Sequence, residues 1–229
     1  MNWNDKYRPA RITDLVGNRE ELQQIEGMII AGSLPHLLFH GPPGTGKSTI
    51  AEIVADRICG RDNLVEINAS DERGIDMVRT VVKRVTKHVP LFGGMTVVFF
   101  DEADGLTRDA QELLRRPMET SRNTLFIFAC NDVNRITAPI KSRCKKFEFR
   151  LCRQDVIDRL QAIADAEHLT VPAGVLEEIA DRVRGLDGVM ETYDLRDAVN
   201  ELQAAAATWG RSSQIDSLVE QYLRGVEQA

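Results

Sequence analysis

"GPPGTGKST", Gly41 to Thr49, follows the apolar run "HLLFH" and opens the periodic stretch "KSTIAEIVADRIC". It satisfies G-x-x-x-x-G-K-[ST], with Gly41, Gly46, Lys47 and Ser48 at the fixed positions. A strand before such a loop and a helix after it are the context that gives the pattern physical meaning. Glycines let backbone N–H groups approach phosphate oxygens, and the following helix adds the positive end of its dipole. All of Gly41, Pro42, Pro43, Gly44, Thr45, Gly46, Lys47, Ser48 and Thr49 are candidate phosphate-binding residues. Lys47 is expected to bridge the β- and γ-phosphates of a nucleoside triphosphate, and the Ser48 hydroxyl to ligate Mg2+.

Working outward, short apolar runs alternate with amphipathic stretches up to about residue 150. The runs are "HLLFHG", "LVEINA", "TVVFFD", "LFIFACN" and "KFEF". Uninterrupted runs such as "VVFF" suit strands buried on both faces, the mark of a parallel sheet covered by helices. The expected fold class is therefore α/β. After residue 150 four stretches read as helices, punctuated by Pro172, Gly185, Gly188 and Gly210. This predicts two domains, 1–150 and a small helical one over 151–229. Pro117, inside "LLRRPMET", is expected to kink or end its helix.

"VVFFDEAD" sets Asp101 and Glu102 at the end of an apolar strand, where ligands of open α/β sheets bind. Asp101 is expected to hold Mg2+ through water, and Glu102 to orient or deprotonate the water that attacks the γ-phosphate.

Composition excludes several classes. The chain has 229 residues, 43% hydrophobic and 28% charged, with a formal net charge of -6. An acidic chain is no general polyanion binder, so nucleic-acid contact needs a local basic stripe. Arg79, Lys83 and Lys87 supply one at helical spacing. No apolar run approaches the roughly 18 residues of a membrane span, and the first residues hold no signal-peptide core. A cytoplasmic protein with no membrane partner is expected. Cys59, Cys130, Cys144 and Cys152 form no C-x-x-C pair or zinc spacing, so free, buried thiols are expected. "PIKSRCKKF", Pro139 to Phe147, carries four cations and a cysteine. Alone it reads equally as a nucleic-acid patch, a redox or metal site, or a solvated turn.

"KYRP", "LVG", "PHLLFHGPPGTGKST", "INASDERGID", "DEADGLT", "SRC" and "LRDAVN" together resemble the small subunits of archaeal and eukaryotic replication factor C, the clamp-loader branch of the AAA+ ATPases. The resemblance covers nearly the whole chain. It implies an AAA+ domain followed by a helical lid, and hydrolysis of Mg2+-bound ATP to ADP. It also implies a five-membered arc that loads a ring-shaped sliding clamp onto primer–template DNA. The implied partners are a large subunit, further copies of the chain, the clamp and DNA. Tyr7, Arg8 and Pro9 match an element near the nucleotide, and Val16 and Gly17 lead towards the adenine. Asn131 matches sensor 1, Arg196 matches sensor 2, and Asn68 matches a residue that restrains the catalytic Glu until DNA binds. Arg143 of "SRC" matches an arginine finger acting in trans on a neighbour's γ-phosphate. Arg73, Ile75, Arg79 and Lys83 match the DNA-tracking helix, with Arg108, Arg115 and Arg116 as possible additions.

The chain also departs from the family. It ends at Ala229 and is expected to be cut short before the family's helical collar, or to be a short form that depends on partners. "RGLDGVMETYDLR" is longer than the usual approach to sensor 2. The competing functions are an assembly module that binds ATP without hydrolysis, and another AAA+ remodeller of DNA or protein.

Overall fold

The structure, a computed structural model, describes residues 1–69, 74–87, 94–188 and 190–207. The elements, in chain order, are α1 (Trp3–Lys6), α2 (Arg19–Ile30), β1 (His36–His40), α3 (Lys47–Cys59), β2 (Leu64–Asn68) and α4 (Gly74–Lys87). There follow β3 (Thr96–Asp101), α5 (Arg108–Thr120), β4 (Thr124–Cys130), α6 (Ala138–Lys141) and β5 (Cys144–Glu148). The chain continues through α7 (Arg153–Ala166), α8 (Val175–Arg182), β6 (Arg184–Asp187), β7 (Met190–Tyr193) and α9 over 195–207. They divide into two compact units, Pro9–Leu151 and Met1–Arg8 with Cys152 onward.

The first unit is built on a five-stranded sheet in the order β2-β3-β4-β1-β5, every pairing parallel. Alternate side chains of each strand enter opposite cores. Leu38, Val98, Phe100, Phe126 and Phe128 pack under α4 and α5 with Val78, Leu114 and Met118. Leu37, Phe39, Val97, Phe99, Leu125 and Ile127 pack on the other face with Leu22 and Ile25 of α2 and Ile50 and Val54 of α3. The central strands β1, β3 and β4 face helices on both sides, which is why their sequences are apolar without alternation, whereas the edge strands β2 and β5 carry exposed polar residues. Phe100 and Phe128 stack with centroids 5.2 Å apart and rings 8° from parallel. Gln111 is buried but fully used: its amide nitrogen donates to the Leu106 and Arg135 carbonyls, each at 3.1 Å, and its oxygen accepts from Thr137 N at 2.7 Å.

The second unit buries Val156, Leu160 and Ile163 of α7, Leu176 and Ile179 of α8, and Ala198, Val199 and Leu202 of α9. Residues 1–8 belong here rather than to the sheet unit, which corrects the expected 1–150 boundary. The Trp3 backbone donates to Gln203 Oε1 at 2.9 Å, and the Asn4 side chain donates to Asn200 Oδ1 at 2.7 Å. Lys6 Nζ and the Tyr7 hydroxyl both donate to Glu167 Oε1, at 2.7 and 2.8 Å. These partners lie some 160 to 200 positions away.

Three other expectations change. The strand signal does not stop at residue 150: β6 and β7 pair antiparallel, Arg184 opposite Tyr193 and Asp187 opposite Met190. Gly188, with φ 65° directly after the paired Asp187, is the local signal for such a hairpin. Pro117 does not end α5, which runs on to Thr120. It stands in the last turn, where its missing N–H removes only the usual partner of the Leu113 carbonyl, a residue on the exposed side of the helix. Of the four free cysteines Cys130 is fully buried, Cys59 and Cys144 are partly buried, and Cys152, where α7 begins, is exposed. The stretch 212–229, read as a helix, lies outside the described residues. Among the described residues no helix is long and apolar enough to cross a membrane.

His36 joins three elements. Its Nδ1 accepts from the Phe126 backbone N–H at 3.2 Å, which leaves Nε2 as the protonated nitrogen, donating to the Met118 carbonyl at 3.0 Å. Burial holds its pKa below the ordinary value. The unfolded chain takes up a proton near pH ~6.5, and the folded state only at lower pH. The unfolded state therefore binds more protons in that window, and stability present above it falls as the pH drops. Urea unfolding from about pH 7.5 to about pH 5.5 is expected to show this decline, and a smaller one in His36→Gln. His40, shifted the same way by burial, supplies the residual slope. An identical slope in the variant would exclude the role of His36.

Candidate active site

The Gly41–Thr49 loop leaves the carboxyl end of β1 and turns at once into α3. Gly41 has φ 138°, and a Cβ there would lie 2.1 Å from the Phe149 carbonyl oxygen. No other residue fits without moving the chain that leaves β5. Gly46 has φ 93°, and a Cβ there would meet only the Leu15 side chain, at 3.3 Å. Lys47 is 7% exposed and folds back over the loop, donating to the Gly41 and Pro42 carbonyls at 2.8 and 2.6 Å. Thr45 Oγ1 donates to the same Pro42 carbonyl at 2.9 Å. The loop thus curls around its own ammonium group.

The neighbouring strands end at the same edge. Ser48 Oγ donates to Asp101 Oδ1 at 3.0 Å, joining the start of α3 to the end of β3. The Glu102 backbone N–H donates to the same oxygen at 3.0 Å. Glu102 is exposed and left-handed, with φ 50° and ψ 40°. For a non-glycine residue this conformation costs on the order of 1 kcal/mol, a cost that recurs at functional turns. Asn68 stands opposite Asp101 in the β2–β3 register, so Asn68 and Glu102 flank one strand end. Cys130 pairs with His40, so Asn131 and Gly41 leave the sheet on adjacent strands. The sequence-predicted Lys47, Ser48, Asp101, Glu102, Asn68 and Asn131 therefore share one edge.

Arg143 lies elsewhere, just before β5, folded against its own unit. Its Nη1 donates to the Pro139 carbonyl at 2.7 Å and its Nη2 pairs with Glu119 of α5. Glu119, which no local pattern singled out, is held below the usual carboxylate range by that guanidinium. Burial raises the pKa of the neighbouring Cys144 thiol to about 12, as it does for Cys130, which disfavours the reactive thiolate. Lys145 and Lys146 are exposed. Tyr7, Arg8 and Arg196 belong to the helical unit, and Pro9, Val16 and Gly17 to the sheet unit. In the basic stripe Arg79 is exposed and pairs with Asp76 at 3.0 Å, and Lys83 is exposed. Arg73 lies outside the described residues, and of Ile75 only the backbone, in the first turn of α4, is described. Arg108, Arg115 and Arg116 are exposed along α5. A cleft of about 780 Å³ opens beside Arg108, lined also by Asp104, Glu112, Arg135 and Lys141. Its lining carries mixed charges and includes no residue of the Gly41–Thr49 loop.

Residues 37–151, half of the chain, match the family described as "ATPase family associated with various cellular activities (AAA)". The chain is 44% identical over 211 residues to the replication factor C small subunit of Methanosarcina barkeri, covering 89% of this chain and 61% of that protein. It is likewise 44% identical over 211 residues to the replication factor C small subunit of Thermofilum pendens, covering 90% and 62%. It thus spans about three fifths of the length of these curated relatives. Among solved structures it is similar in fold to the Thermotoga maritima RuvB Holliday junction branch migration motor, with TM-score 0.68 and 20% identity over 86% of this chain and 64% of that one.

The two glycines should respond differently to substitution. Gly41→Ala meets a backbone carbonyl and is expected to cost about 3 kcal/mol or more. Gly46→Ala meets one flexible side chain and should cost roughly 1–2 kcal/mol, mostly from its φ. Urea unfolding of both variants checks the order; equal costs would contradict the close approach to Phe149.

Proposed function

The chain belongs to the AAA ATPase family, and from that premise we propose that it binds Mg2+-ATP at Gly41–Thr49 and hydrolyses it to ADP as a subunit of a sliding-clamp loader. The observation that carries this reading is the Ser48–Asp101 hydrogen bond beside Lys47, which brings two hard oxygen donors and an ammonium group to one strand edge. That donor set suits Mg2+, whose usual ligands are a carboxylate, a hydroxyl, waters and phosphate oxygens. When bound, the ion supplies positive charge next to the phosphate oxygens. The loop amides and Lys47 then bind and orient the phosphates, Lys47 exchanging its carbonyl partners for phosphate oxygens. Glu102, at the end of β3, orients the attacking water or takes its proton, and Asn131 holds the water or the γ-phosphate.

Arg143, through its match to an arginine finger, serves the nucleotide of a neighbouring subunit. Asn68, opposite Asp101, restrains Glu102 until DNA arrives. Tyr7, Arg8, Pro9, Val16, Gly17 and Arg196 frame the nucleotide. The stripe of Arg73, Ile75, Arg79 and Lys83 follows the phosphate backbone of primer–template DNA by shape rather than by base sequence. The assembly contains a large subunit and further copies of this chain, and its substrate is the clamp. The 44% identity to replication factor C small subunits supports this assignment over other AAA activities.

Glu102→Gln is expected to keep ATP affinity within about twofold while lowering turnover at least ~100-fold, measured by equilibrium binding and phosphate release. Wild-type turnover by this variant would remove Glu102 from the mechanism. Arg143→Ala should leave ATP binding by the isolated chain intact and lower turnover only in a mixture with partner subunits, clamp and primed DNA. A lone chain that loses ATP binding on this change would contradict a role in trans. ATP binding with no turnover in any mixture would favour the assembly-module alternative.

A further inference from the structure

The segment Leu15–Asn18 closes a frame around the phosphate loop. At one end Gly41 lies against Phe149, and Phe149 N donates to the His40 carbonyl at 2.7 Å. The next residue, Arg150, donates its backbone N–H to Asn18 Oδ1 at 2.8 Å, across 132 positions of sequence. Asn18 connects through Gly17 and Val16 to Leu15, whose side chain stands 3.3 Å from the Cβ position of Gly46. The path Gly41–Phe149–Arg150–Asn18–Leu15–Gly46 starts and ends on the phosphate loop, and the Asn18 side chain is the clasp between its two halves.

Two features show what Asn18 gives up for this bond. It is the N-cap of α2, where an asparagine oxygen ordinarily accepts from the first N–H groups of its own helix. Here no such side-chain cap forms, and the oxygen goes to Arg150 instead. Its backbone is also left-handed, with φ 49° and ψ 35°, directly after Gly17 at φ 67°. Asparagine tolerates that region better than other non-glycine residues, but not freely. A local cap is thus exchanged for a long-range tether held in a strained conformation, a pattern common where geometry serves a ligand.

We propose that Asn18 is a positioning residue for the nucleoside end of the bound nucleotide, acting by holding the backbone of Val16 and Gly17 against the phosphate loop. This rests on the reading of Gly41–Thr49 as an ATP site. The phosphates are served by the loop amides and by Lys47, which Asn18 does not touch. Val16 and Gly17, proposed above to frame the nucleotide, are half-buried and belong to the segment held by Leu15 beside Gly46 and by Asn18 on Arg150. Affinity for ATP should therefore depend on the Asn18 oxygen, and affinity for a bare phosphate chain should not.

Asn18→Gly keeps the left-handed backbone and removes the oxygen, whereas Asn18→Asp keeps an acceptor. Equilibrium binding of Mg2+-ATP and of inorganic tripolyphosphate would be measured for the wild-type chain and both variants, with thermal melts on the same samples. Asn18→Gly is expected to weaken ATP binding about tenfold and tripolyphosphate less than about twofold, with Asn18→Asp within about twofold of wild type for both. Unchanged ATP affinity in Asn18→Gly would overturn the inference. So would equal losses for the two ligands, which would mean that the tether supports the unit as a whole. An Asn18→Asp variant as weak as Asn18→Gly would show that the accepted hydrogen bond is not the cause. If Asn18→Gly melts below the assay temperature, Asn18→Ser, whose oxygen falls one bond short of Arg150, takes its place with the same expected split. A wild-type chain that binds neither ligand would remove the ATP site itself, an outcome distinct from any failure confined to the variants.

Discussion

The closeness of Gly41 to the Phe149 carbonyl is the constraint on which the carboxyl edge of the sheet depends. A chain leaving β1 can curl back over its own strand end only if nothing projects from its first residue towards β5. Glycine meets that condition, and the curl turns the loop carbonyls of Gly41 and Pro42 inward onto Lys47. The same turn starts α3 at Lys47, so the positive end of a 13-residue helix faces the loop. A buried ammonium group costs free energy unless it is hydrogen-bonded, and here its partners are backbone atoms that the curl itself supplies.

The second determinant is the parallel register. Because all five strands run the same way, their ends bring Gly41, Asn68, Asp101 and Asn131 to one side of the sheet. Asp101 then needs only one side-chain bond, from Ser48, to join the sheet to α3. The cost of the left-handed Glu102 is small beside the burial that fixes the strands. Removing one buried phenylalanine ring such as Phe100 or Phe128 from a core typically costs about 3–5 kcal/mol. The apolar layers on both faces therefore hold a modestly strained polar edge in place.

Much of this was legible in sequence because it is local. The loop pattern, the unbroken runs "VVFF" and "LFIF" and the Asp-Glu pair at a strand end each reflect a single element and its immediate neighbour. Reading failed where a residue answers to something distant. Pro117 was expected to kink or end its helix, yet α5 does not end there and runs on to Thr120. Residues 1–8 looked like the start of the sheet unit because they precede it in sequence, yet Gln203, Asn200 and Glu167 claim them. The hairpin of β6 and β7 was read only as a long approach to Arg196 between two helices, although Gly188 marked its turn.

By itself the sequence determined the α/β class, the phosphate loop and the carboxylates at the end of β3, since these depend on residue type and spacing along one stretch of chain. It also determined, through its motifs, the family to which the chain is related. Only the tertiary structure decided that Asn18 gives its cap to Arg150, that Arg143 rests on Glu119, and that the first eight residues join the helical unit. Each of these is a polar contact between residues dozens to hundreds of positions apart. Such contacts carry no periodicity and no fixed spacing, and exist only once apolar burial within each unit has brought their ends together.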